Sequence, residues 1–136
     1  NSKRKIIITP HMGEMSRLTG VDVESLIENR IGIAVNFAKE YKVIVLLKGY
    51  NTIITDGNEV YVNSTGNSKM ASGGMGDTLT GIIASFIGQG YEPFKATIVS
   101  AYIHGYCGDI LSKEMFCVNA SHVIEKIPYV VEYLVK

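Results

Sequence analysis

Two stretches, Lys5–Thr9 (KIIIT) and Val43–Leu47 (VIVLL), are continuous apolar runs rich in β-branched residues. Successive side chains of a strand point to opposite faces, so a run without alternation needs cover on both. Such strands belong inside a parallel sheet, and a parallel sheet needs helices packed on it. Between the two runs, Val23, Ile27, Ile31, Ala34, Ala38 and Tyr41 recur at helical spacing. This predicts one amphipathic helix over Asp22–Tyr41, with Asp22 as N-cap and Glu24 favouring the dipole in the first turn. Strand, helix and strand make an α/β unit.

Farther on, Thr52–Thr55 and Glu59–Asn63 flank Asp56-Gly57-Asn58, which predicts a β-hairpin. Ser64–Gly76 (STGNSKMASGGMG) holds four glycines and little to pack. The helix expected after it, Asp77–Gln89, is apolar or small on every face, which predicts burial in the middle of the fold. There Gly81, Ala84 and Gly88 would allow a neighbour to approach closely. Pro93 suits the first position of a long helix that follows Glu92 and runs to Met115, bent where Gly105 and Gly108 weaken it. Ser121–Ile127 reads as a short helix, and Pro128 as the opening of a last one ending at Lys136.

Of the 136 residues, 46% are hydrophobic and 19% charged, enough to bury the core of one domain. Thirteen Lys plus Arg balance thirteen Asp plus Glu, which argues against a nucleic-acid partner. Cys107 and Cys117 form no CxxC pattern and read as free thiols of a reducing compartment, the cytoplasm. Leu79–Tyr91, the most apolar stretch, is shorter than the roughly 20 residues that span a bilayer. The chain also starts at Asn1 without Met, close to a strand-like run, as if something precedes it.

Several motifs are excluded by reading. There is no GxxxxGK[ST], HExxH or GxSxG, and Leu79 stands where a GxGxxG fingerprint needs its third Gly. His11, His104 and His122 are far apart, with no zinc-like spacing. What remains is Gly73-Gly74-Met75-Gly76-Asp77 running into the uncharged helix. Glycines can turn successive N–H groups toward one point, where a helix N-terminus adds unpaired donors: an anion hole for a phosphoryl group in transfer. Asp77 could then accept a proton from an attacking hydroxyl, or merely cap the helix. Lys48-Gly49-Tyr50-Asn51-Thr52 and Thr9-Pro10-His11-Met12-Gly13-Glu14 follow the two buried strands, where open α/β sheets collect ligands. Taken singly, Lys48 reads as a solvated residue and His11 as an ordinary loop residue.

Together, TPHMGEMSRL, VIVLLKGYNTII and NSKMASGGMGDTLTGIIA occur in the order and context of one family. The chain resembles the C-terminal part of an ADP/ATP-dependent NAD(P)H-hydrate dehydratase of the ribokinase-like superfamily, and its TPHxGE form resembles the bacterial, ADP-using branch. The resemblance covers nearly the whole chain and weakens after about Cys107. It implies a ribokinase-like three-layer α/β/α fold, of which residues 1–136 are the C-terminal portion of one nucleotide-binding catalytic domain. The implied reaction returns the S epimer of NADH or NADPH hydrate to NAD(P)H while ADP becomes AMP and phosphate, or ATP becomes ADP and phosphate.

The resemblance also implies residue roles. His11 matches the hydrate-contacting histidine. Lys48, Gly49, Tyr50, Asn51 and Thr52 match the KGxxT nucleotide segment, Gly76 the nucleotide-contacting Gly, and Asp77 the acidic residue that meets the hydrate and serves as base. Mg²⁺ would arrive with the nucleotide, held mainly by phosphates and water. Implied partners are the N-terminal portion of the domain and further copies in a homo-oligomer, with no nucleic acid and no membrane. The rival readings are a ribokinase-like kinase of a vitamin precursor or carbohydrate, and a nucleotide-binding fragment inactive without its N-terminal half.

Overall fold

In the computed structural model, which describes residues 4–136, the two apolar runs become neighbouring parallel strands. Ile7–Ile8 (β1) lies opposite Ile44 and Val45 of Ile44–Leu47 (β2). All four β2 residues are buried, as a run without alternation requires, whereas β1 is shorter than the run Lys5–Thr9 and only half-buried, with Ile6 exposed. The chain divides into two compact units, one ending at Asn63 and one beginning at Ser64.

In the first unit three helices join β1 to β2. Met12–Thr19 (α1) occupies the segment read as loop, and Asp22–Tyr41 is two helices, Val23–Glu28 (α2) and Arg30–Tyr41 (α3). Asp22 does cap α2, its Oδ1 accepting the Ser25 N–H at 2.9 Å. The break falls at Asn29, whose backbone is non-helical (φ −135°, ψ 47°). Its side chain folds over the next turn, where a Cβ on Gly32 would meet Asn29 Oδ1 at 2.6 Å. The Asn29 side chain makes no capping hydrogen bond, so α3 starts without a side-chain cap. Met15, Leu26, Ala34 and Ala38 pack with Val45, Leu47 and Ile53 in one cluster.

Ile53–Thr55 (β3) and Val60–Val62 (β4) form the expected hairpin and complete a sheet of order β1-β2-β3-β4. Both later pairings are antiparallel, so the sheet is mixed. Asp56 Oδ1 fixes the turn by accepting the N–H groups of Asn58 and Glu59 at 2.9 and 2.8 Å.

The second unit holds a 3₁₀ turn, Ser68–Met70, then Met75–Gly88 (α4), Pro93–Leu111 (α5) and Ala120–Val135 (α6). Met70, Ile103, Cys107, Val118, Val123 and Val130 form its core. Helix α4 is not buried all round: Leu79, Ile82 and Ile83 face inward, while Gly81, Ala84 and Gly88 are exposed. Helix α5 begins as expected, with Glu92 accepting the Phe94 and Lys95 N–H groups at 3.1 Å and Pro93 in the first turn. It runs unbroken through Gly105 and Gly108, which serve close approach, and ends at Leu111, short of Met115.

Helix α6 is also one helix, with Pro128 inside it. Proline removes the N–H that would meet the Ile124 carbonyl, but Ile124 and Pro128 are exposed, so water can serve that carbonyl. Both cysteines are free, and burial pushes the Cys107 thiol up to about 11. Among the described residues no helix is long and apolar enough to cross a membrane.

Candidate functional site

The ends of the parallel strands are tied together, the Lys48 N–H donating to the Pro10 carbonyl at 2.9 Å. His11 is the N-cap of α1 rather than a loop residue. Its Nδ1 accepts the Glu14 N–H at 3.2 Å, and Glu14 Oε2 accepts the His11 N–H at 2.8 Å, a reciprocal capping box. That backbone N–H is the main reason the Glu14 carboxyl lies below its ordinary value. Glu three residues after His is capping-box spacing, so the helix start was readable in TPHMGE, with His in the place usually held by Ser or Thr. With Nδ1 committed to the cap, Nε2 is the nitrogen left for a ligand, 3.5 Å from Glu14 Oε1.

Lys48 is half-buried, not a fully solvated residue. Gly49–Thr52 makes a tight turn in which Thr52 Oγ1 donates to the Gly49 carbonyl at 3.2 Å and Asn51 takes a left-handed backbone (φ 53°). Arg30, which no motif singled out, donates Nη1 to the Tyr50 carbonyl at 2.6 Å and holds the tip of the turn. The Tyr50 ring is exposed.

In the second unit the chain enters α4 through Gly74, which takes the left-handed φ of 84° that favours glycine. Gly74 is the N-cap, and no side chain caps the helix. Its carbonyl accepts the first helical bond, from Thr78 N–H at 3.0 Å. The N–H groups of Met75, Gly76 and Asp77 precede that bond and have no acceptor within the helix. A side chain at Gly73 would meet nothing within 4 Å, so the approach is open. Asp77, third in the helix, is exposed and is not the cap. Thr78 and Thr80 hydroxyls donate back to the Gly74 and Gly76 carbonyls, both at 3.0 Å, which steadies the turn. The second unit therefore presents one exposed carboxylate beside three unpaired donors, an arrangement suited to a phosphoryl group and a proton.

The family model described as NAD(P)H-hydrate dehydratase matches residues 1–129. The chain belongs to this family. A bifunctional NAD(P)H-hydrate repair enzyme of Moorella thermoacetica is 42% identical over 95% of this chain and 25% of its own length. An ADP-dependent (S)-NAD(P)H-hydrate dehydratase of Staphylococcus aureus is 38% identical over 96% of this chain and 46% of its own. Among solved structures, the ADP/ATP-dependent NAD(P)H-hydrate dehydratase of Bacillus subtilis, co-crystallized with ATP/Mg²⁺, superposes with a TM-score of 0.92 at 33% identity, over 98% of this chain and 50% of that one. The chain thus spans about half the length of these dehydratases and a quarter of the bifunctional enzyme. Its fold is the mixed α/β fold of the ribokinase-like dehydratases.

What sequence reasoning missed in this chain is how α5 holds the segment that leads to the glycine turn. Thr65 Oγ1 donates to the Tyr102 carbonyl at 3.0 Å, and Gly66 N–H to Asp109 Oδ2 at 3.0 Å. Burial dominates at His104 and lowers its pKa to about 4, so the ring is neutral. Its Nε2 is buried without a partner. A groove of about 560 Å³ begins at Asp77 and Thr78 and runs between α4, at Gly81 and Ser85, and α6, at Ile127 and Val131. Among the described residues no group of three His, Cys, Asp or Glu could hold a metal.

Proposed function

We propose that this chain carries the phosphoryl-transfer centre of an ADP- or ATP-dependent (S)-NAD(P)H-hydrate dehydratase, with Asp77 as base and the Gly73–Gly76 backbone as anion hole. The observation that carries the reading is the first turn of α4: Asp77 exposed and unused as a cap, next to the unpaired N–H groups of Met75, Gly76 and Asp77. The family match supports the same chemistry. In this reading residues 1–136 are the C-terminal part of one ribokinase-like nucleotide-binding domain, acting with its N-terminal portion and in a homo-oligomer. In the first unit, His11 contacts the hydrate through Nε2, and Lys48 to Thr52 contact the nucleotide.

Asp77 takes the proton of the hydrate's ring hydroxyl as that oxygen attacks the terminal phosphoryl group of ADP. The bond from that phosphorus to the bridging oxygen breaks, and AMP leaves. The amide donors of Met75 and Gly76 hold the charge that builds on the phosphoryl oxygens. A poor leaving group is now a phosphate. Electron push from the ring nitrogen expels it, and loss of a proton from the adjacent ring carbon restores the dihydropyridine. Mg²⁺ would be held mainly by the phosphates and water and, when bound, would neutralise phosphate charge.

Asp77→Asn in the intact enzyme should lower kcat by about 10³-fold, within the range typical of general bases, while ADP affinity by calorimetry stays within a few-fold. Turnover is followed by NADH absorbance regenerated from (S)-NADH hydrate. A variant with wild-type kcat would remove Asp77 from the role of base. Wild-type enzyme that accumulates phosphorylated hydrate without forming NADH would point to a kinase instead.

A further inference from the structure

Asp109, at the end of α5, has no part in the chemistry assigned above, yet both of its carboxylate oxygens are engaged. Oδ2 accepts the Gly66 N–H at 3.0 Å, and Oδ1 accepts the Asn67 side-chain amide at 2.7 Å. Asn67 passes the constraint on: its Oδ1 accepts the Lys69 N–H at 3.0 Å and caps the Ser68–Met70 turn. Lys69 in turn ties to the segment before α6, its carbonyl accepting the Val118 N–H at 3.0 Å, and Ser72 Oγ donates to the Val118 carbonyl at 3.3 Å. Between Ser64 and Met75 this segment has no regular structure other than that one short turn. Its shape is set by these moorings.

We propose that Asp109 is a positioning residue for the nucleotide: by accepting from Gly66 and Asn67 together, it pre-orders the stretch leading into the Gly73–Asp77 turn before ADP arrives. The inference rests on the phosphate-binding role given to that turn. Donors aimed at a phosphate are effective when they need no rearrangement on binding, and a disordered approach would have to be ordered at the expense of affinity. Two donors converging on two oxygens of one side chain call for a carboxylate, because the amide of asparagine offers one acceptor oxygen only.

The test compares wild type, Asp109→Asn and Asp109→Ala in the intact enzyme. For Asp109→Ala we expect amide hydrogen exchange of residues 64–76, without nucleotide, at least tenfold faster. ADP Kd and KM should rise about tenfold with kcat at saturating ADP within about threefold, and Asp109→Asn should fall between. A role confined to holding the fold would lower the unfolding temperature and leave ADP affinity of the folded protein unchanged. The proposal is overturned if 64–76 exchange at the wild-type rate in Asp109→Ala, or if its ADP Kd stays within twofold. Wild type that fails to bind ADP would sink the proposed function, while the exchange measurement still decides the mooring. If Asp109→Ala does not fold, Asp109→Asn decides: it leaves one acceptor oxygen for two donors, and unchanged exchange and Kd there overturn the proposal equally.

Discussion

Gly105→Ala should destabilise this protein although alanine is the better helix former. A Cβ at Gly105 would overlap Thr65 Oγ1 and lie 2.6 Å from the Thr65 carbonyl carbon and 2.7 Å from the Gly66 nitrogen. Ordinary contact begins near 3.4 Å, so the loop backbone must retreat by roughly 0.7 Å. That stretches both the Thr65 bond to the Tyr102 carbonyl and the Gly66 bond to Asp109, each 3.0 Å now, past hydrogen-bonding range. Two lost bonds at about 1 kcal/mol each and residual overpacking of ~1 kcal/mol outweigh a helix-propensity gain of ~1 kcal/mol. The net loss is about 2 kcal/mol, or a fall in Tm of roughly 6–10 °C for a chain of this size. Urea and thermal unfolding followed by far-UV circular dichroism measure it. Gly81→Ala is the control: nothing lies within 4 Å of a Cβ there, so that variant should gain about 0.5–1 kcal/mol. If Gly105→Ala is as stable as wild type, Gly105 is not where helix and loop backbones meet.

Pro128→Ala restores an N–H to the middle of α6 and should stabilise by about 2 kcal/mol in urea melts, the helix gain of ~3 kcal/mol being partly offset by a freer unfolded chain; a lower midpoint would mean that the ring packs usefully. Because burial holds the His104 pKa near 4, the unfolded chain binds a proton that the folded chain does not between about pH 6.5 and 4. Stability should therefore be complete above pH 6.5 and fall toward pH 4, and His104→Gln should flatten that slope; parallel wild-type and variant curves in this window would show that His104 charges freely in the fold. Gly76→Val, with a side chain crowding the donors of the α4 turn, should weaken ADP binding by at least tenfold in calorimetry, and an unchanged Kd would remove the anion hole from that turn.

Several elements were legible because their signals lie within a few residues of one another. The unalternating run at Val43–Leu47 announced a buried strand, the run at Ile6–Ile8 gave a short and only half-buried one, and Asp22, Glu92 and Pro93 marked helix starts where the structure has them. Local reading went wrong where the backbone leaves the helix without a sequence signal or a rule has an exposed exception. The first helix breaks at Asn29, whose backbone leaves the helical region, and Pro128 sits inside α6 where the carbonyl it orphans, that of exposed Ile124, can reach water. His11 is instructive differently: its role as a cap was encoded three residues away in Glu14 and was overlooked because His is an unusual N-cap.

By itself, the sequence determined that this is an α/β chain with a buried strand at Val43–Leu47, a glycine turn opening a largely apolar helix, and an acidic residue in that helix's first turn. Each of these depends on the conformational preferences and spacing of adjacent residues. Only the tertiary structure decided that Asp77 stands exposed while Gly74 caps, and that α5 carries the approach to the turn. Asp109 meets Gly66 and Asn67 across 43 and 42 residues of chain, and Gly105 lets the two backbones touch. Contacts between segments so far apart leave no periodic trace in either one, since they arise from close approach and paired hydrogen-bonding groups.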